Sequence, residues 1–371
     1  VHHAGLWHLL GEIEVVFGFW AFVLIAAIDY AESRQYTEPL FVFVIMVVAA
    51  SRPVLQAVRA LVFACARRLP LPDALARVWL CLAIVPLLGS AITEPAAMTL
   101  AALMLAPLVF VPGMPEVLKY GALGVLFVNV SVGGALTAFA APPVLMVASA
   151  WQWDSAFMLA TFGWTAAPAV LLNASAMTWL LRRHLKALPA EARADAAPAV
   201  VVIVHLLCLG SVVLLAHHPV LFLGIFLFFL GYTQAYARHQ GPLILKEALL
   251  VGFFLAGLVV LGGMQQWWLQ PIISALSPLA LFFGTLGLTA IADNAALTYL
   301  GSLIEGLSDR DKIMLLSGAL AGGGLTVIAN APNPAGVALL RQGFADGAIG
   351  AVGLLLGALA PTAVAAGCLL M

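Results

Sequence analysis

The sequence predicts an all-α polytopic membrane protein built from two inverted-topology repeats, each with a re-entrant helical hairpin and a broken transmembrane helix. Three observations carry that reading. Of 371 residues, 64% are hydrophobic and 9% charged, with a mean hydropathy of +1.09, far too apolar for a soluble domain of this length. Apolar runs of about 17 to 25 residues recur from end to end, the length an α-helix needs to cross a hydrocarbon core. Two stretches repeat one another in order: Ile92 to Thr99 followed by Gly133 to Pro143, then Ile291 to Thr298 followed by Gly322 to Pro332.

Taken in chain order, apolar runs bounded by charges, Pro and Gly give candidate spans at 10–30, 40–66, 117–150, 156–181, 199–216, 219–237, 246–263, 312–340 and 347–370. Leu, Ala, Val and Gly dominate, and the alternating pattern of a barrel strand is missing, so the spans are helices. Stretches 74–110 and 272–306 differ, because each has a polar, Gly-containing centre between two apolar arms of roughly 12 to 15 residues, too short to span. Both read as hairpins whose tips meet inside the protein, where irregular backbone is tolerated if it lines a cavity. Spans 117–150 and 312–340 are broken at Gly133–Pro143 and Gly322–Pro334. Residues 1–190 form the first repeat and 191–371 the second. Fewer full spans precede the first hairpin than the second, which predicts a helix ahead of Val1.

Basic residues set the orientation. Arg182 to Arg193 is the richest basic loop, and Arg67, Arg68, Arg77, Arg238 and Lys246 fall in loops of the same parity, so these face the cytoplasm. Trp151, Trp153, Trp267 and Trp268 then fall on the outer side as interfacial residues. The first hairpin has its base at the cytoplasm and the second outside, which makes the halves inverted copies.

In the alignment of the repeats Glu94 falls on Asp293, Thr99 on Thr298, Thr137 on Thr326 and Pro143 on Pro332. Doubled, Gly/Pro-interrupted apolar segments point to the substrate site of a secondary transporter, because broken helices expose backbone dipoles near the bilayer midplane. Carboxylates at that depth are costly, which marks Glu94 and Asp293 as functional candidates. Burial favours the protonated form of a carboxyl and a bound cation the ionised form, so proton and cation compete for one group. Thr93, Thr99, Asn129, Ser131 and Thr137 in one copy, with Asn294, Thr298, Thr326, Asn330 and Asn333 in the other, supply the hard oxygens a small cation prefers. Asp293, Asn294 and Asn330 are the candidate Na⁺ ligands. The departures Glu94-Pro95 against Asp293-Asn294, and Ala141 against Asn330, make the second copy the fuller cation cage and the first its proton partner.

Other features read more plainly. His2, His3, His8 and Glu12 have zinc-compatible chemistry but read better as interfacial, as does Glu14. Arg52 and Arg59 share one helix face and either balance the acids or snorkel to the interface. Cys65, Cys81, Cys208 and Cys368 lack pair spacing and read as apolar fillers. A net charge of -1 implies no nucleic-acid partner. Gly322–Gly324 has no following Lys-Ser/Thr and is not a phosphate loop, and protease motifs are missing, so no enzyme activity and no cofactor is expected.

The segments Asp293–Thr298, Gly322–Pro334 and Leu9–Trp20 resemble those of a bacterial sodium/proton antiporter family within the ion transporter superfamily, which also holds arsenite-efflux pumps and sodium/dicarboxylate carriers. The resemblance covers essentially the whole chain. It implies a multi-pass protein of the bacterial inner membrane, often a homodimer in the lipid bilayer, exchanging Na⁺ and H⁺ by an elevator-like motion. It also implies ion sites formed by each hairpin tip with an unwound-helix loop: Thr93, Glu94 and Thr99 with Asn129 to Thr137, and Asp293, Asn294 and Thr298 with Thr326 to Asn333. An anion or neutral-solute carrier remains the alternative, with Arg341 the nearest cationic group to either broken segment, and a membrane scaffold or enzyme without transport is the third reading.

Overall fold

The computed structural model describes residues 28–185, 197–345 and 347–371, and these are all-helical, with eighteen α-helices and no strand. The candidates His2, His3, His8, Glu12 and Glu14, the Leu9–Trp20 segment and most of the 10–30 span lie outside the described residues.

After a short α1 (Ile28–Glu32), α2 (Thr37–Ala49) and α3 (Arg52–Ala66) meet at 63°. The single span expected at 40–66 is therefore two helices. Ser51 is extended (ψ 144°) and Pro53 has no N–H to continue the ladder, so the helix restarts there. The first hairpin follows as α4 (Asp73–Leu82), α5 (Ile84–Ile92) and α6 (Glu94–Leu105). Its descending arm bends by 43° between α4 and α5, because Pro86 offers no N–H to the Leu82 carbonyl four residues earlier.

α7 (Glu116–Gly133) ends in a 3₁₀ turn, Gly134–Leu136, and an unwound stretch before α8 (Pro142–Trp151). Then come α9 (Ser155–Leu181), α10 (Ala199–Leu214), α11 (Pro219–Ala235) and α12 (Leu245–Gly262). The second hairpin begins later than position 272. Gln266–Ser274 is a separate helix, α13, and Ser277 caps a new one, α14 (Pro278–Thr289), by accepting from the Ala280 N–H. α15 (Asn294–Ser302) completes the hairpin, α16 (Asp309–Gly322) and α17 (Asn333–Leu340) flank the second unwound stretch, and α18 (Ala351–Leu369) closes the described chain.

Among the described residues, four helical segments (Glu116–Leu136, Ser155–Leu181, Leu245–Gly262 and Ala351–Leu369) are each long and apolar enough to cross a membrane, and the two bent pairs α2–α3 and α4–α5 raise this to six if each is one span. The chain is a multi-pass membrane protein. α2 packs on α10, α11 and α12, and α10 on α11, with Phe41 against Phe222 and Phe43 against Phe226 edge to face. Beside them α7 lies between α9 and α18, where Gly124 meets the Gly357 backbone so closely that a Cβ would not fit. The inner arms cross reciprocally: α6 packs on α17, and α15 packs on α8. Trp153, expected at the outer interface, is instead buried at 6% exposure and stacks on Phe157.

Candidate functional site

At the tip of the first hairpin Thr93 caps α6 with φ 78° and ψ 150°, a left-handed conformation that a β-branched residue rarely adopts. Holding it costs about 1–3 kcal/mol, so the surrounding contacts must over-determine the tip. They do. The Glu94 N–H donates to the Ala140 carbonyl (3.3 Å), and the Thr137 hydroxyl donates to the Ser90 carbonyl (2.6 Å). The Ser90 hydroxyl donates to Gly133 O (2.7 Å) and accepts from Leu136 N (2.9 Å). Hairpin tip and unwound loop are thereby sewn together.

The second tip is sewn in the same way. Asn294 N–H donates to Ala329 O (3.0 Å), and the Thr326 hydroxyl donates to Ala290 O (2.9 Å). These bonds fix the register. With Thr137 opposite Thr326, Glu94 corresponds to Asn294 and Thr93 to Asp293, one residue away from the alignment that matched the two acids. The glycines agree: a Cβ on Gly134 would run into the Glu94 side chain, and one on Gly323 would lie 3.0 Å from the Asn294 amide nitrogen. Asp293 is thus the N-cap of α15, its Oδ1 accepting from Ala295 N (2.8 Å) and Ala296 N (3.2 Å), and it is half-buried.

Glu94 is fully buried and accepts from Asn330 Nδ2 (2.9 Å), a bond that ties the first tip to the second unwound loop. Ser131 donates to Leu320 O (2.9 Å) and accepts from Asn294 Nδ2 (3.4 Å). Asn333 Nδ2 donates to Gly323 O (2.8 Å) and Thr326 O (2.9 Å). Each of the three amides spends its nitrogen on the protein. Their oxygens do not: Asn294 Oδ1, Asn330 Oδ1 and Asn333 Oδ1, with Glu94 Oε1 and Thr93 Oγ1, are buried without a hydrogen-bond partner among the described residues. Buried oxygens in this condition are costly unless something positive or protic meets them.

Three expected residues are placed elsewhere in role. Asn129 donates to Leu82 O (2.8 Å), the carbonyl orphaned by Pro86, and to Val170 O (3.1 Å), while its oxygen accepts from Asn173 Nδ2 (3.0 Å). Asn173, which sequence reasoning missed, also donates to Pro361 O (3.1 Å), so the two amides join α4, α7, α9 and α18. Asn129→Ala is expected to destabilise the protein by about 1–3 kcal/mol through the stranded carbonyls and amide, with cation affinity little changed, as read by thermal melts with and without Na⁺. Thr99 bonds its own helix at Pro95 O (2.9 Å) and faces a different cleft. Thr298 is buried and bonds Ala295 O (3.1 Å).

A cavity of about 620 Å³ opens beside the first unwound loop at Ala138 and Phe139, with Glu38, Asp154 and His217 on its walls. Glu94 is not among its lining residues and stays buried, its N–H bonded to the carbonyl of Ala140, the neighbour of Phe139. Among the described residues no group of three or more His, Cys, Asp or Glu side chains is arranged to hold a metal ion. The unpartnered oxygens enclosed at the tips come from one carboxylate, three amides and one hydroxyl, a hard-oxygen set unlike the nitrogen and sulfur ligands of a structural zinc.

No curated protein matches the chain. A family model described as "Putative Na+/H+ antiporter" matches residues 1–371, and the chain belongs to that family of membrane transporters.

Proposed function

We propose that the protein exchanges a monovalent cation, Na⁺ first among them, for a proton at a single buried site organised by Glu94, in the cytoplasmic membrane of a bacterium. The observation that carries this is the set of unsatisfied buried oxygens: three Asn carbonyls, one carboxylate oxygen and one Thr hydroxyl, contributed by both hairpin tips and the second unwound loop. One carboxylate gives one negative charge. A bound Na⁺ or a bound proton each neutralises it, whereas a divalent cation would leave net charge in a low-dielectric site. The helix ends support the same cargo, since α7 and α16 end at Gly133 and Gly322 and turn their negative dipole ends and last carbonyls toward the tips.

Asp293 has a different part in this reading. It caps α15, where the Ala295 and Ala296 N–H groups and the positive end of the helix meet its charge, so it is neither one of the enclosed oxygens nor part of the charge that the bound cation balances. The reciprocal packing of α6 on α17 and α15 on α8 supports two inverted repeats whose tips move as one block against α2, α10, α11 and α12, an elevator-type motion. The test uses proteoliposomes containing the full-length protein and a preset pH gradient reported by a quenched dye. Na⁺ or Li⁺ is expected to dissipate the gradient and Ca²⁺ to leave it intact. A gradient untouched by every monovalent cation, with Na⁺-driven uptake of a carboxylate in its place, refutes the proposal.

A further inference from the structure

The cavity of about 620 Å³ beside the first unwound loop ends next to the carbonyl that holds Glu94. Ala138 and Phe139 line it, and the next residue, Ala140, is buried and accepts the Glu94 N–H at 3.3 Å. We propose that this cavity is the outer approach to Glu94 and that the Phe139 side chain is the apolar barrier between its water and that carboxylate. The inference rests on Glu94 being the exchanging group, but its test reads the accessibility of that group and not transport, so the two can fail separately.

The cavity walls come from one end of the molecule: Glu38 from the start of α2, Asp154 and Ser155 from the turn into α9, and His217 from the turn between α10 and α11. Arg182 to Arg193 precede α10 on the side that basic loops assign to the cytoplasm, so the far end of α10, and the cavity with it, faces outward. Polar and charged groups line enough volume here to hold water. Among the described lining residues Glu38 and Asp154 are acidic and none is Lys or Arg, a balance that gathers cations and turns anions away.

The loop is pinned on both sides of Phe139. Before it, the Ala138 N–H donates to the Ser155 hydroxyl (3.2 Å) and the Thr137 hydroxyl donates to Ser90 O (2.6 Å); after it, Ala140 O takes the Glu94 N–H. Phe139 itself is half-buried and packs on the apolar core. An ion does not cross an apolar constriction of this kind until the side chain gives way, because it would have to shed its water against a ring that offers no replacement. The second copy repeats the arrangement. With Thr137 opposite Thr326, Ile328 takes the place of Phe139; it is 60% exposed and directly precedes Ala329, whose carbonyl accepts the Asn294 N–H. A large apolar side chain thus precedes each carbonyl that holds a hairpin tip, as an exchanger requires if its site is not to open to both faces at once.

The test uses the full-length protein in right-side-out membrane vesicles, with a positively charged, water-soluble carbodiimide added outside and modification of the Glu94 carboxyl read by peptide mass spectrometry. Modification is expected to be slow in the wild-type protein and faster by about tenfold or more in Phe139→Ala. Ile328→Ala, at the matching place in the other loop, is expected to leave the rate from this side unchanged. A wild-type rate in Phe139→Ala overturns the proposal, and so does an equal acceleration in Ile328→Ala, which would mean general loosening instead of a removed barrier. Ala138→Cys is expected to react with an impermeant thiol reagent from outside, and reaction only from the inner face overturns the placement of the cavity. Should Phe139→Ala fail to fold, Phe139→Leu decides: it keeps most of the packing, a smaller rise of the same sign is expected, and a wild-type rate overturns the proposal. None of these readings requires that a cation be exchanged.

Discussion

Glu94→Gln is expected to abolish cation-driven proton movement while leaving insertion and folding intact. Gln keeps the side-chain volume and can still accept from Asn330 Nδ2, so the tip retains its contact with the second unwound loop. What it loses is the only carboxylate enclosed in the cage. A unit charge at about 4 Å contributes roughly 4 kcal/mol at an effective dielectric of 20, on the order of a thousandfold in cation affinity. Asp293→Asn is expected to behave differently. Asn is as good an N-cap as Asp, so the α15 cap survives, and only a neighbouring charge outside the enclosed set is removed. Transport assays on both variants in parallel check the contrast: near-total loss for the first and a several-fold change for the second. Equal loss in both would return Asp293 to an equal role.

Gly134→Ala is expected to be nearly as damaging to transport, for a steric reason. The Gly134 backbone sits at φ −72° and ψ −11°, which alanine adopts freely, so no conformational penalty opposes the substitution. Its added Cβ, however, would overlap Cγ and Oε1 of Glu94, a side chain enclosed on all sides. Overpacking of this kind costs about 1–3 kcal/mol, and the carboxylate, the movable party, is pushed off Asn330 and out of the cage. Gly224→Ala is the control, since nothing lies within 4 Å of its added Cβ. A loss of exchange of about a hundredfold in Gly134→Ala, with normal amounts of folded protein and an unaltered control, is the expected result. Wild-type exchange would show that Glu94 is not held where the cage requires it.

Both hairpin tips and both unwound loops were legible in the sequence, because Gly, Pro and polar residues inside apolar runs are local signals. The register between the copies was not. Matching acid to acid paired Glu94 with Asp293, but the hydrogen bonds from Thr137 and Thr326 pair positions by backbone. A local signal did exist: Thr93 and Asp293 are both N-cap residue types directly before a helix, and capping chemistry aligns them with each other. The Asn129–Asn173 pair was out of reach, since its meaning depends on a carbonyl freed by Pro86 on a third helix. Trp153 misled for a related reason, because a tryptophan near a span end looks interfacial until tertiary packing buries it against Phe157. The break at Ser51–Pro53 was written in the chain but outweighed by the apolar run around it.

The central claim is that one buried carboxylate carries cation and proton in turn, and counting protons while Na⁺ is titrated into weakly buffered full-length protein tests it most directly. The wild-type protein should release protons as Na⁺ binds, and Glu94→Gln should release none. Proton release of equal size from the variant, or Na⁺ binding by the wild-type protein with no proton released at any pH, would contradict it.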